Sequence, residues 1–136
     1  MDNKCKSNCD CNFSDKKILI IEKSYITRAA LIIKLSNLGF STLSLDNPKE
    51  CLKLTKEIKP DLILISTTLE KKKGLETLKK LKSKSETKII PVIVLAEEDD
   101  KNLKEEYLEK GASDFCIKTS LSLNELIRKV NNLISK

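Results

Sequence analysis

Four apolar runs in this 136-residue chain end in side chains able to do chemistry. The places are Glu22-Lys23, Ser66-Thr67-Thr68, Ala96-Glu97 and Lys118-Thr119. Two chemistries follow from those residue types. Glu22 and Lys118 could form a fixed ion pair, or stand as two loosely paired charges at a sheet edge. The hydroxyls of Ser66, Thr67 and Thr68 could accept phosphate beside Lys23 and Lys118, or could satisfy the amides of a loop. Histidine is absent. That excludes a Ser-His-Asp triad, a Cys-His pair, histidine metal ligands and histidine phosphotransfer from within the chain.

Periodicity supplies the elements that must position these residues. "KILII" (17–21) is a short apolar run and reads as a buried strand. Residues 24–39 carry apolar side chains at 26, 29, 30 and 33, the spacing of a helix. Ser24 suits its start and Gly39 its end. "STLSL" (41–45) is a weaker strand. Asn47-Pro48-Lys49-Glu50 reads as a capping box opening a helix over 48–58, which Pro60 ends. Strands follow at 62–66, 91–96 and 114–117, with helices at 75–84, 100–110 and from Ser122, where Ser122 and Glu125 form a second capping box. Apolar strands alternating with amphipathic helices imply (βα)₅, a doubly wound parallel sheet with helices on both faces. Sites in such sheets lie at the carboxyl ends of the strands, where all four groups fall.

Composition bounds the class. The chain is 40% hydrophobic and 34% charged, and no apolar run approaches the length of a membrane span. The first residues lack the order of a secretory signal, so a cytoplasmic location is expected. Residues 1–15 are polar and aperiodic and read as a mobile tail before a domain over 16–136. The tail holds Cys5, Cys9 and Cys11, whose spacing lacks a fourth ligand for tetrahedral zinc; a metal- or redox-responsive module is the reading they leave open. Cys51 falls on the second helix, and Cys116 reads as a small core residue. The net charge of +6 is concentrated in residues 71–88, with eight lysines against two glutamates. No arginine or aromatic residue lies among those lysines, so a nucleic-acid role is unsupported, and a solvated face is expected.

The chain resembles the receiver domain of bacterial two-component response regulators. The resemblance covers about residues 16–135, on "ILIIEK", "LILISTTLEKKKG", "PVIVLAE" and "GASDFCIKT". It implies the strand order 2-1-3-4-5. In that family the first strand ends in two acids, the third in the phospho-accepting aspartate, the fourth in Thr or Ser, and the fifth in Lys-Pro. Here Glu22 keeps one acid and Lys23 stands for the other. Ser66 stands at the aspartate position, with Thr68 two residues on. Ala96 replaces the switch hydroxyl, Phe115 holds the aromatic switch position, Lys118 is kept and Thr119 replaces proline. If Glu22, Lys23 and Lys118 share one pocket, its charge changes from about −2 to about +1, which disfavours Mg²⁺.

The expectation is therefore a stand-alone pseudo-receiver that is not an enzyme, holds no metal or cofactor, and works through protein contacts without phosphorylation; the alternative that the resemblance implies is a phospho-accepting regulator with Mg²⁺ near Glu22 and an atypical nucleophile near Ser66. The partners expected are a histidine kinase, a response regulator or an output protein, and neither nucleic acid nor membrane. By the family resemblance, the fourth helix, fifth strand and fifth helix form the docking or dimer face. Lys101, Asp114, Phe115, Arg128 and Lys129 are its candidate residues. Asp114 and Lys129 could pair within one chain or across a two-fold axis.

Overall fold

A computed structural model describes residues 16–67, 69, 73–120 and 122–134. The cysteines at 5, 9 and 11, and Thr68, lie outside the described residues. Ten elements alternate: β1 (Lys17–Ile21), α1 (Tyr25–Asn37), β2 (Ser41–Leu45), α2 (Cys51–Ile58), β3 (Leu62–Ser66), α3 (Lys73–Ser83), β4 (Val92–Ala96), α4 (Lys101–Glu109), β5 (Asp114–Ile117) and α5 (Leu123–Ile134). The strands form one parallel sheet in the order β2-β1-β3-β4-β5. The expected doubly wound architecture is therefore the one observed.

The core lies in two layers because alternate strand residues point to opposite faces. Leu19, Ile21, Ile63, Ile65, Val92 and Val94 face helices α2, α3 and α4, and meet Cys51, Leu78, Leu81 and Tyr107. Ile18, Ile20, Leu62, Leu64, Ile93 and Leu95 face α1 and α5, and meet Leu35, Leu126 and Val130. The central strands are buried on both sides, which is why β1, β3 and β4 read as unbroken apolar runs. The buried thiols of Cys51 and Cys116 are each pushed up to about 11, first of all by burial, so both behave as small core residues.

Two local readings need correction. The apolar spacing 26-29-30-33 does not mark the buried face of α1: Ile26 is 79% and Ile33 59% exposed. The helix instead turns Leu31, Ile32, Leu35 and Leu38 to the sheet. Two overlapping stripes run along this sequence, and the core takes the one that carries the larger side chains through to Phe40. Nor does α2 begin at Pro48. The Asn47 side-chain oxygen accepts from the Lys49 N–H at 2.9 Å, and the Cys51 N–H donates to the Pro48 carbonyl at 3.0 Å. These bonds make a local turn, and the helix starts only at Cys51, with no side-chain cap from Glu50.

The other signals fit. Ser24 accepts from the Thr27 N–H, and Gly39 takes the left-handed φ of 103° after α1. The second capping box forms in both directions: Ser122 N–H donates to Glu125 at 3.0 Å, and Glu125 N–H donates to Ser122 Oγ at 3.1 Å. The Ser122 backbone N–H, and after it the Ser122 hydroxyl, hold the Glu125 carboxyl below its ordinary range.

A close approach ties α3 to α4. A Cβ on Gly74 would lie 2.5 Å from the Tyr107 hydroxyl and 3.4 Å from the Ser66 carbonyl. Tyr107 is buried and stacks at a tilt on Phe115, with ring centroids 6.0 Å apart. Its hydroxyl makes no hydrogen bond among the described residues. Gly74→Ala therefore overpacks the α3–α4 contact and should destabilise the domain by about 1–3 kcal/mol. Tyr107→Phe removes an unsatisfied buried hydroxyl and should be neutral or stabilising. The double variant should recover most of the loss in urea unfolding. Equal stability of Gly74→Ala and wild type would show that the contact is not tight.

Candidate functional site at the carboxyl edge

All four groups singled out in the sequence sit where the central strands end. Glu22 follows β1, Ser66 closes β3, Ala96 closes β4 and Lys118 follows β5. Parallel pairing sets their order across the sheet. Ile21 is level with Ile65, Ser66 with Leu95, and Ala96 with Ile117.

Glu22 is 1% exposed, and its neighbours engage every polar group it has. Its N–H donates to the Leu45 carbonyl at 3.0 Å. Its carbonyl accepts from Arg28 Nη1 at 2.8 Å. One carboxylate oxygen accepts from Lys118 Nζ at 2.5 Å, and the other accepts from the Ser24 N–H at 2.9 Å. Lys118 also reaches Glu97 at 3.0 Å. A single ammonium thus bridges two carboxylates, one buried and one on the surface.

This cluster decides between the two readings of Glu22 and Lys118. The pair is a short, nearly dry contact, of the kind whose charges demand each other. Its composition also differs from the expected trio. Lys23 is exposed and lines a neighbouring cleft with Asp46 and Asn47. Glu97 shares Lys118 with Glu22. The cluster is one cation with two anions, a net charge opposite in sign to that expected. The sequence marks Glu97 by its place directly after β4, but no spacing links it to Lys118, so its share in the cluster is legible only in the structure.

Around this cluster the edge is closed by packing. Ser66 is buried at the end of β3, and Ala96 is buried among the residues of the α2–α3–α4 layer. Phe115 is 6% exposed and belongs to the same layer. It is therefore a core side chain and not part of the docking surface. Of the other surface candidates, Lys101 and Arg128 are exposed. Asp114 and Lys129 are partly exposed and pair within the chain at 2.6 Å. The Asp114 carboxylate holds the Lys129 ammonium above the ordinary lysine value. Among the described residues no group of three or more His, Cys, Asp or Glu side chains is placed to hold a metal, and no helix is long and apolar enough to cross a membrane.

Comparison with known proteins agrees with this geometry. Residues 18–131 match the response regulator receiver domain. The chain is 29% identical over 121 residues to the phosphate regulon transcriptional regulatory protein PhoB of Pseudomonas aeruginosa, covering 89% of this chain and 52% of that protein. It is 30% identical over 104 residues to the alkaline phosphatase synthesis transcriptional regulatory protein PhoP of Bacillus subtilis, covering 76% and 42%. The chain spans about half the length of these curated relatives or less. Among solved structures, the signal receiver domain of a signal transduction histidine kinase from Syntrophus aciditrophicus superposes with a TM-score of 0.79 at 29% identity, over 88% of this chain and 90% of that one. The BeF3-activated N-terminal receiver domain of RstA from Klebsiella pneumoniae gives 0.80 at 20% identity, over 89% and 100%, a likeness of fold. The chain belongs to the response regulator receiver domain family, whose members act with histidine kinases in two-component signalling.

Proposed function

We propose that this receiver domain is a non-catalytic protein-interaction module that works without phosphorylation, in the cytoplasm. The observation that carries the proposal is the Glu22–Lys118–Glu97 cluster. Mg²⁺ needs several hard oxygen ligands in near-octahedral array. Glu22 offers one carboxylate, already committed to an ammonium and to the Ser24 N–H. The donor set does not suit the ion. Phosphoryl transfer to Ser66 would further need a base for the hydroxyl proton. The chain has no histidine, and Glu22, the sole buried carboxylate among the described residues, is spoken for.

Signalling then runs through surface recognition. The face built from α4, β5 and α5 presents Lys101, Arg128 and the partly exposed Asp114–Lys129 pair, a mixed-charge surface suited to a histidine kinase, a response regulator, an output protein or a second copy.

Amide NMR during a Mg²⁺ titration, with and without beryllofluoride, tests the proposal. No saturable shift is expected at Glu22, Ser66 or Lys118. Saturable shifts there would overturn it in favour of a phospho-accepting domain with Mg²⁺ near Glu22 and the nucleophile at Ser66.

A second expectation concerns stability. Lys118→Met leaves the Glu22 carboxylate buried and uncompensated, and should cost about 3 kcal/mol or more in urea unfolding. Adding Glu22→Gln removes the stranded charge and keeps an acceptor for Ser24, so at least half of the loss should return. A pocket built to hold a cation would respond in the opposite way: Lys118→Met would be tolerated and would create a Mg²⁺ site.

A further inference from the structure

The two edges of the sheet are finished differently. At one edge β5 opens with Asp114, whose carboxylate holds Lys129, so charge guards the end of the strand. At the other edge lies β2, Ser41-Thr42-Leu43-Ser44-Leu45, which has no charged residue and no proline. All of its residues pair in unbroken register with β1, so no bulge turns the edge away. Charge, proline and bulges are the devices that keep an exposed edge from pairing, and β2 carries none of them.

The phase of the strand decides what it offers. The Ser41 N–H donates to the Lys16 carbonyl at 2.9 Å, and the Leu45 carbonyl accepts from the Glu22 N–H at 3.0 Å. Ser41, Leu43 and Leu45 therefore direct their amide groups to β1, and Thr42 and Ser44 turn theirs to the open side. Neither has a backbone partner there among the described residues. Leu43 is level with Leu19, on the α2 side of the sheet, and is 44% exposed. Thr42 lies on the α1 side, where its hydroxyl meets that of Ser36 at 3.2 Å.

We propose that β2 is the docking edge for β2 of a second copy of this chain, the two strands running antiparallel about a two-fold axis at Leu43. Self-pairing follows from the phase. In an antiparallel ladder, residues whose amide groups face outward meet as pairs that exchange both hydrogen bonds. An axis at Leu43 sets Thr42 against Ser44 of the second copy, and Ser44 against Thr42 of the second copy. The outward N–H and C=O of both residues are then engaged. Leu43 meets its own counterpart in the closer, non-bonded position, where side chains approach most nearly. Thr42 beside Ser44 is a cross-strand hydroxyl pair, which steadies a sheet. The nearest charge, Asp46, falls opposite Phe40 and not opposite another acid. A strand of unrelated sequence has no such match built in. The product joins two five-stranded sheets into one, with β5 at both outer ends. The two α4–β5–α5 faces stay open, and the module becomes bivalent. The inference rests on the β2 edge alone and holds whether or not Ser66 can be phosphorylated.

Sedimentation equilibrium on the full chain, in reducing agent so that cysteines cannot link copies, tests the proposal. An edge contact of this size is weak and reversible. The mass of two chains should therefore build up between about 10 μM and about 0.5 mM. Leu43→Lys opposes two ammonium groups across the axis and should weaken association at least about tenfold, and Leu43→Glu should do the same. An equimolar mixture of these two variants should return association to within about threefold of the wild type, because this axis places the side chain at 43 against itself. Recovery in the mixture also shows that both variants fold. Ser44→Pro removes an outward donor, leaves the bonds to β1 in place, and should weaken association about tenfold with an unchanged far-ultraviolet circular dichroism spectrum. Arg128→Glu, on the α4–β5–α5 face, should leave association within about twofold. A chain that stays a single copy up to about 0.5 mM overturns the proposal and leaves the edge to an extended segment of another protein. So does a mixture of the Lys and Glu variants that fails to recover. Loss of association in Arg128→Glu would place the contact at the opposite edge and overturn it as well.

Discussion

A carboxylate buried to 1% exposure at the end of the central strand is the constraint that the carboxyl edge is built around. Such a charge is several kcal/mol too costly to leave unanswered. The fold answers it from three directions. Lys118 arrives from the end of β5, Ser24 offers the first amide before α1, and Arg28 fixes the backbone from within α1. Ser24 and Arg28 are near Glu22 in sequence, but Lys118 is 96 residues away. The cluster therefore exists only when β1, β3, β4 and β5 are in register, and it reports on the whole sheet.

The sheet's own chemistry makes that placement firm. Ile, Leu and Val on both faces of β1, β3 and β4 leave no slack for a one-residue slip, since every position of these strands but Lys17 is buried. The polar residues that follow each run are thus delivered to the same edge. The α3–α4 contact adds rigidity from the other side. Gly74 lets the Tyr107 hydroxyl approach, and the Tyr107 ring then meets Phe115 on β5. Ala96 and Phe115 share this packed layer, so the positions that correspond to a moving switch in the family resemblance are here filled by apolar contact.

Much of this was legible in the sequence, for physical reasons that can be named. The alternation of apolar runs and amphipathic stretches gave the order of elements, because burial on both faces leaves a strand no polar positions. The Ser122–Glu125 box was readable because its bonds are local. What failed was geometry set at a distance. Two stripes compete on α1, and only the sheet beneath decides between them. Asn47 satisfies a turn before a helix can use it as a cap. Phe115 looked like a surface residue from its place near an interface, but β5 alternation turns it inward. Above all, the partition of charge was invisible. Sequence placed Glu22, Lys23 and Lys118 at one edge, yet adjacent residues leaving a strand point apart.

That partition shapes what the domain can do. In an open acidic pocket, two adjacent acids would converge on one cation. Here the residue after Glu22 carries the opposite charge, and convergence would set Lys23 against Lys118. The structure separates them. Lys118 neutralises the buried acid and also reaches the half-exposed Glu97, and Lys23 lines the cleft that holds lysines of α3 and of the β2–α2 loop. One edge thereby acquires two electrostatic characters. The first is closed around the buried Glu22–Lys118 pair, whose charges demand each other, with Glu97 at its surface. The second is open and lined by Lys49, Lys73 and Lys80 beside Asp46 and Glu76. A change at Lys23 touches both, because its backbone is held by the same guanidinium that holds Glu22.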